Sequence, residues 1–181
     1  MRLSGNRRRV EELVDQFYAP LYRFAFRLTG RSADAEDLTQ ETFCTAQRQL
    51  GQLRDPARVR PWLFSILRNA YLHRTRNERS ERCVSLADMS DFAESLPDTL
   101  PEVPPERLQQ ALDELPEAFR TPIILYYFDE FSYRDIAEQM DLPMGTVMSR
   151  LARAKAHLRS QLQQPNPEVL ADSDRRAGDG L

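Results

Sequence analysis

Two helical patterns meet at a short break in the stretch SYRDIAEQM-DLP-MGTVMSRLARAKAHL, residues 132–158. In the first, Ser132 and Asp135 have the spacing of a capping box, and Ile136 and Met140 fall on one apolar stripe. In the second, apolar residues recur at three- and four-residue spacing; they are Val147, Leu151, Ala154 and Leu158. The pattern predicts a helix-turn-helix, whose second helix enters the major groove of DNA.

The second of these helices has a face suited to DNA. Residues 144–164 contain no acid. Opposite the apolar stripe lie Ser149 and Arg153 together with two alanines, and Arg150 lies on the flank. Small residues let the backbone approach DNA while arginines reach phosphates or guanine edges. An ordinary helical hairpin with a solvated basic face would have the same spacing, so this alternative stays open.

Charge is divided unevenly along the 181 residues, although the whole chain carries a net charge of −3. Residues 1–79 contain 15 arginines and nine acids, a net charge of +6. Residues 80–106 contain one arginine and seven acids, a net charge of −6, and residues 107–164 come to −1. Two basic surfaces separated by an acidic connector are suited to phosphate contact at two places.

Helical periodicity dominates the rest of the chain, and strand signals are weak. An apolar run over residues 10–28 ends at Gly30 and contains Pro20, which we expect to kink or split the helix. A second helix is predicted to begin at the cap Ser32, and a third to cover about residues 56–78. We therefore predict an all-α fold: two small helical domains, residues 8–79 and 107–164, joined by an extended acidic linker over residues 80–106. A polar tail, residues 165–181, is expected to be disordered.

Several classes of protein are excluded by composition. No apolar run approaches the roughly 18 residues of a membrane span, and the basic N-terminus lacks the apolar stretch of a secretory signal. The prediction is a cytoplasmic protein that is not inserted in a membrane. Cys44 and Cys83 have no metal-ligand spacing, and no catalytic triad, carboxylate pair or glycine-rich phosphate loop is present. We expect no enzyme activity, metal, cofactor or small-molecule substrate.

Five motifs resemble the sigma-70 family of RNA polymerase sigma factors. The segments DAEDLTQETF (residues 34–43) and RPWLFSILRNA (residues 60–70) resemble its second conserved region, as does FYAPLYRFA before them. LPEAFR (residues 115–120) and GTVMSRLARA (residues 145–154) resemble its fourth region. Only these two regions are present, as in the extracytoplasmic-function (ECF, group 4) class. The resemblance implies a factor that directs core RNA polymerase to promoters.

The resemblance also implies partners. The acidic second helix would dock on the clamp coiled coil of the largest polymerase subunit through Asp37, Gln40 and Glu41, and the fourth region would meet the polymerase flap. The linker would thread through the RNA exit path. The class usually has an anti-sigma factor, which is a further expected partner.

Positions that contact promoter DNA in the family can be carried over to this chain. The −10 set lies in the third helix and the loop before it; it comprises Arg54, Arg58, Arg60, Arg68 and Asn69. The −35 set lies on the helix after the turn; it comprises Thr146, Met148, Ser149, Arg150 and Arg153. Met148 and Ala152 depart from the family, which commonly has Lys or Arg at the first position and His or an aromatic at the second. The bases read there are therefore expected to differ.

Two rival functions remain open at this stage. A stand-alone helix-turn-helix regulator would bind DNA tightly without polymerase, usually as a symmetric dimer. The motifs at residues 34–43 and 60–70 argue against it. A protein-binding helical adaptor would leave the acid-free helix unexplained.

Overall fold

All regular structure in the described part of the chain is helical, as predicted. The computed structural model describes residues 2–53, 55–78 and 103–163, with side chains from residue 8 onward and up to residue 75 in the second segment. The N-terminal module contains α1 (Arg2–Thr29), α2 (Ser32–Gln49) and α3 (Val59–Glu78). The C-terminal module contains α4 (Pro105–Glu114), α5 (Glu117–Tyr127), α6 (Tyr133–Met140) and α7 (Met144–Gln163). None of the helices described is long and apolar enough to cross a membrane.

The N-terminal module is a bundle of three helices around large apolar side chains. Those with almost no exposed surface are Leu21, Phe24, Leu28, Leu38, Leu63, Phe64 and Leu67. Two 3-10 turns, Leu50–Gln52 and Pro56–Arg58, connect α2 to α3. The second turn begins at Asp55, whose Oδ1 accepts a hydrogen bond from the backbone N–H of Ala57 at 2.9 Å.

The structure contradicts two local expectations for this module, a split at Pro20 and a cap at Ser32. α1 is not split at Pro20 but runs through it to Thr29. One proline removes a single backbone hydrogen bond, and α1 also packs along α2 and α3. Ser32 is not a cap: Arg31 occupies the N-cap position without a side-chain bond, and Ser32 is the first helical residue.

The helix-turn-helix of the C-terminal module is present. The hydroxyl of Ser132 accepts a hydrogen bond from the backbone N–H of Asp135 at 3.2 Å, and the Asp135 carboxylate accepts one from the backbone N–H of Ser132 at 3.2 Å. Both halves of the predicted capping box are thus confirmed. α6 ends at Met140, and its C-cap residue, Asp141, has a left-handed φ of 52°. The predicted stripes of α6 and α7 are buried; they comprise Ile136, Met140, Val147, Leu151, Ala154 and Leu158.

Pro122 lies inside α5 without ending it. Proline has no N–H, so the carbonyl of Ala118, four residues earlier, loses the donor that a regular helix would give it. Arg150 of α7 supplies one: its Nη1 atom lies 3.4 Å from the Ala118 oxygen. An irregularity in α5 is thereby satisfied by the helix that follows the turn.

The two modules pack against each other and share one hydrophobic core. α1 contacts α4 and α5, and α3 contacts α6. The ring of Phe64 in α3 lies 5.0 Å, centroid to centroid, from that of Phe131, just before α6. Residues 80–102 of the predicted acidic linker and all of the predicted tail lie outside the described residues. The last four linker residues, 103–106, are described, and α4 begins among them at Pro105.

Candidate polymerase and nucleic-acid interfaces

The face of α2 predicted to bind polymerase is exposed. Asp37, Gln40 and Glu41 are all exposed, whereas Leu38 and Phe43 are buried. Glu41 is tied to α3, since its Oε2 atom accepts hydrogen bonds from Nε and Nη2 of Arg74 at 3.1 and 2.6 Å. The structure brings the three predicted residues to one surface and fixes one of them to the neighbouring helix.

An aromatic row beside this face was missed by the sequence analysis. Tyr18 is 41% exposed and stacks on Tyr22 of the same helix at 6.3 Å and on Phe43 of α2 at 6.5 Å. Phe26 continues the row at 6.4 Å from Tyr22. The four-residue spacing of positions 18, 22 and 26 was the available signal.

The predicted −10 residues of the 3-10 turn and early α3 face the C-terminal module. The guanidinium of Arg58 forms an ion pair with the carboxylate of Glu138 in α6. The Nη2 atom of Arg60 donates a hydrogen bond to the backbone carbonyl of Asp129. Its guanidinium carbon also lies 4.9 Å from the ring centre of Phe131, a cation–π contact.

The remaining −10 predictions fall into three different environments. The Nε atom of Arg68 lies 3.8 Å from Oε1 of Glu117 in α5; both side chains are largely buried, and this Nε has no hydrogen-bond partner. Asn69 is exposed, and Arg54 lies outside the described residues. The structure therefore brings Arg58, Arg60 and Arg68 together against the C-terminal module, with Asn69 apart from them.

Asp129 is the acid most strongly affected by this arrangement. Asp129 is 4% exposed, and burial raises the pKa of its carboxyl to about 7. Arg27, Arg60 and Arg23 oppose that rise by favouring the ionised form, while Glu130 adds to it. The Oδ2 atom has no hydrogen-bond partner. Desolvation therefore outweighs three nearby cations.

A cavity of about 400 Å³ lies where the 3-10 turns and α3 meet α6. Trp62 and Pro61 line it from α3, and Asp135, Glu138 and Gln139 line it from α6. Trp62 is half-buried and packs against the core while also facing this cavity.

The predicted −35 residues lie on the first half of α7, the helix that follows the turn. Ser149 and Met148 are exposed, the latter by 50%, and Met144 one turn earlier is 54% exposed. Thr146 and Arg153 are half-buried. The hydroxyl of Ser149 donates to the Thr146 carbonyl at 3.0 Å. Arg150 is also half-buried and bonded to α5, so it holds the helix as well as extending the basic face.

Both halves of the chain match models of known families. The model described as Sigma-70 region 2 matches residues 13–81, and that described as Sigma-70, region 4 matches residues 105–158. The match to region 2 decides against a stand-alone helix-turn-helix regulator, because such a protein would need only the helix-turn-helix of region 4.

Named relatives agree with the family models. The ECF RNA polymerase sigma factor SigE of Mycolicibacterium smegmatis is 35% identical over 174 residues, 88% of this chain but only 63% of that protein. SigL of Mycobacterium tuberculosis, also an ECF RNA polymerase sigma factor, is 37% identical over 155 residues, 84% of this chain and 88% of that protein.

A solved structure is similar across both modules. The sigma factor RpoE in complex with the anti-sigma factor NepR from Bartonella quintana is 27% identical, with a TM-score of 0.69 over 86% of this chain and 98% of that chain. With both regions matched in order, and SigL similar over most of its length, the chain belongs to the sigma-70 family of RNA polymerase sigma factors, in the ECF group.

Proposed function

We propose that residues 8–79 bind core RNA polymerase and the −10 element, and that residues 107–164 read the −35 element. The observation that carries the proposal is the charge of α7, which follows the turn of the helix-turn-helix. This helix contains no acidic residue from Met144 to Gln163. Its apolar stripe is buried and Ser149 and Met148 are exposed at its leading turns. A helix so placed can enter the major groove with its first residues on base edges.

Polymerase binding is assigned to the exposed face of α2. Asp37, Gln40 and Glu41 present carboxylates and an amide to a polar partner surface, which in the family is the clamp coiled coil of the largest subunit. The half-exposed ring of Tyr18 beside Phe43 adds an apolar contact to that face. The C-terminal module would meet the polymerase flap, with the acidic segment of residues 80–106 in the RNA exit path.

Promoter melting is assigned to the turn before α3 and to α3 itself. Arg54, Arg58, Arg60 and Arg68 supply cations for the DNA backbone, and the exposed Asn69 supplies a donor and an acceptor for a base. Extruding a base costs about a few kcal/mol of stacking, which backbone contacts offset. Here the protein binds and positions DNA in the cytoplasm, and no step requires a catalytic group or cofactor.

An anti-sigma factor is proposed as a further partner. RpoE was solved with the anti-sigma factor NepR, and CnrH, a protein of similar fold, with the cytosolic domain of CnrY. CnrH is 25% identical to this chain, with a TM-score of 0.61. A protein that binds this chain and blocks its use of polymerase would fit the same pattern.

Run-off transcription tests the proposal. Purified core polymerase, with and without the protein, is given the DNA upstream of the protein's own gene. A specific start that depends on the protein supports the proposal, whereas no transcript together with no co-elution with core polymerase contradicts it.

Two charge reversals, each with a matched control variant, divide the proposed roles. Asp37→Lys should lose co-elution with core polymerase, while Glu36→Lys on the same helix should retain it. Arg153→Glu should retain co-elution but lose promoter use, whereas Arg159→Glu, two turns further along α7, should keep both. A result in which Arg153→Glu leaves promoter use intact would contradict the −35 assignment.

A further inference from the structure

The first turns of α7 expose two methionines on one side of the helix. Met144 and Met148 are each exposed by half or more. Because they are four residues apart, they lie about 40° apart around the helix and about 6 Å apart along it. Among the described residues, Tyr18 is the one other large apolar side chain that is exposed. The part of α7 assigned to base edges therefore presents a thioether surface to solvent.

The same side of α7 is covered farther along the helix. Lys155, seven residues after Met148, is buried, and its Nζ atom lies 5.7 Å from the ring centre of Tyr127 in α5. This side of the helix is thus closed where α5 packs on it and open at its leading end. The two methionines are exposed because they precede the packed part of the helix.

Met140 is the opposite case within the same helix-turn-helix. It lies at the end of α6, is buried and belongs to the shared core. A methionine is oxidised when an oxidant reaches its sulfur, and the product is the polar sulfoxide. An oxidant in solution can therefore reach Met144 and Met148 in the folded chain, whereas the core shields Met140.

We propose that Met144 and Met148 are a pair of oxidation sites, and that their conversion to methionine sulfoxide by hydrogen peroxide weakens binding of the −35 element. The proposal rests on the assignment of α7 to that element under the proposed function. In each reaction the thioether sulfur attacks one oxygen of the peroxide, so that an S–O bond forms and the O–O bond breaks. The hydroxide that leaves takes up the proton of the transferred oxygen and becomes water. Sulfur loses two electrons and the peroxide gains them.

The sulfoxide changes what the first turns of α7 can bind. A methionine side chain is flexible and apolar, and the apolar group available to it in the major groove is the 5-methyl of thymine. The sulfoxide oxygen accepts hydrogen bonds, but neither that methyl nor a phosphate oxygen offers a donor. Burying a polar group without a partner is unfavourable. Oxidised α7 therefore binds a −35 element with thymine at these positions less tightly.

The change is reversible and leaves the rest of the molecule as it was. Methionine sulfoxide reductases restore the thioether, with one enzyme for each epimer of the sulfoxide. The polymerase-binding face assigned to α2 contains no methionine, since Asp37, Gln40 and Glu41 form it. An oxidised factor therefore keeps its polymerase and loses promoter use until it is reduced.

Peptide mass spectrometry after brief treatment of the full chain with hydrogen peroxide locates the oxidised residues. The three methionines of the helix-turn-helix fall in one tryptic peptide, residues 135–150, whose fragment ions separate them. Sulfoxide should accumulate at Met144 and Met148 while Met140 remains unmodified. Equal rates of oxidation at all three residues would overturn the proposal.

Binding of the holoenzyme to promoter DNA is the second readout. The chain alone is treated with peroxide, which catalase removes before core polymerase is added, so that only this protein is oxidised. Every chain carries Cys44→Ser and Cys83→Ser, so that thiol oxidation does not contribute. Peroxide should weaken promoter binding about tenfold or more, because each methyl contact accounts for about fourfold. Methionine sulfoxide reductases should restore the affinity, and co-elution with core polymerase should not change.

Two leucine variants assign the effect to residues, each compared with its own untreated form. Met144→Leu/Met148→Leu keeps apolar side chains but has no sulfur at these positions, so peroxide should not change its affinity. The control Met140→Leu should lose as much affinity as the parent chain. An equal loss in the double variant would assign the effect to Met1, Met89 or another residue and overturn the proposal, as would unchanged affinity of the oxidised parent.

The failure of this proposal can be told from a failure of the proposed function. A chain that supports run-off transcription, and whose oxidised form binds promoter DNA as tightly as before, contradicts only the oxidation sites. A chain that is oxidised at Met144 and Met148 but never supports transcription or co-elutes with core polymerase contradicts the proposed function, and with it the effect on promoter binding.

Discussion

The guanidinium of Arg120 in α5 donates a 2.9 Å hydrogen bond from Nη1 to the backbone carbonyl of Leu28, near the last turn of α1. The same side chain, 7% exposed, also donates to the carbonyls of Asp113 at 2.7 Å and Leu115 at 2.9 Å. One buried cation thus satisfies carbonyls from α1, from α4 and from the segment after α4. It connects the two modules and closes the loop between α4 and α5.

Replacing this arginine should be costly. Arg120→Leu leaves three carbonyls without their charged donor, and we expect the free energy of unfolding in urea to fall by about 3 kcal/mol. Arg120→Lys should recover less than half of the loss, because an ammonium group lacks the planar fork that reaches several acceptors. Arg134→Leu, at an exposed position of α6, should stay within about 0.5 kcal/mol of the parent protein. A similar loss for both leucine variants would show that the buried contacts are not the cause.

Gly30 should be intolerant of a side chain. Its φ of 69° is in the left-handed region, and an added Cβ would lie 2.8 Å from Oδ2 of Asp113. Gly30→Ala should lower the free energy of unfolding by about 1–2 kcal/mol. In an Asp113→Ala background the loss should shrink but persist, because the backbone strain remains.

Gly51→Ala is the control for that substitution. No atom lies within 4 Å of its added Cβ, and its φ is not positive. The change should be neutral or stabilise the protein by up to about 1 kcal/mol, since alanine reduces the entropy of the unfolded chain. An equal loss at both glycines would rule out the left-handed backbone as the reason.

The ionisation of Asp129 should make stability depend on pH. The pKa of its carboxyl in the folded protein, about 7, is above its ordinary value of 3.8. The folded state therefore holds more protons than the unfolded state between about pH 4 and 7, and stability falls as the pH rises through that window. Arg27, Arg60, Arg23 and Glu130 are the charged groups that act on it.

Asp129→Asn removes that titration and keeps the shape of the side chain. The free energy of unfolding of the variant, minus that of the parent, should rise from pH 4 to pH 7 by on the order of 4 kcal/mol and then level off. Urea unfolding at pH 4.5, 6 and 8 gives the difference. Asp141→Asn, at an exposed carboxylate, should follow the parent at every pH. Parallel curves for parent and Asp129→Asn would mean that this carboxyl does not cause the decline.

Local features of the fold could be predicted because their causes are local. The capping box of Ser132 and Asp135 joins residues three apart, and the buried stripe of α7 repeats every three or four residues. These two signals predict the two helices and the break between them, although an ordinary helical hairpin would have the same spacing. Ser32 was mispredicted because serine suits several positions at the start of a helix, and its neighbour Arg31 occupies the cap.

Contacts between the modules could not be predicted in this way. Arg58 and Glu138 are 80 residues apart, and Arg120 and Leu28 are 92 apart. No periodicity or spacing relates such positions. Arginines were assigned to DNA by charge and family resemblance, but a guanidinium can also bind a carboxylate, a carbonyl or an aromatic ring. In the structure, Arg60 binds the backbone carbonyl of Asp129 and contacts the ring of Phe131.

The exposed Met148 should read a methyl group at the −35 element. Where the family commonly has Lys or Arg, this chain presents an apolar side chain that is 50% exposed on the acid-free face of α7. The apolar group available in the major groove is the 5-methyl of thymine. Burying one methyl contributes about 0.8 kcal/mol, so its removal should weaken binding about fourfold.

Deoxyuridine in place of thymidine removes only that methyl. At the −35 position that Met148 faces, the exchange should lower the affinity of the holoenzyme for promoter DNA about fourfold. Met148→Arg should bind both templates equally, because its guanidinium makes no use of the methyl. Arg153→Ala should bind more weakly overall but retain the full difference, since it loses a polar contact and leaves Met148 in place. If no thymine in the element shows the effect, the exposed methionine does not read DNA, even where transcription itself depends on the protein.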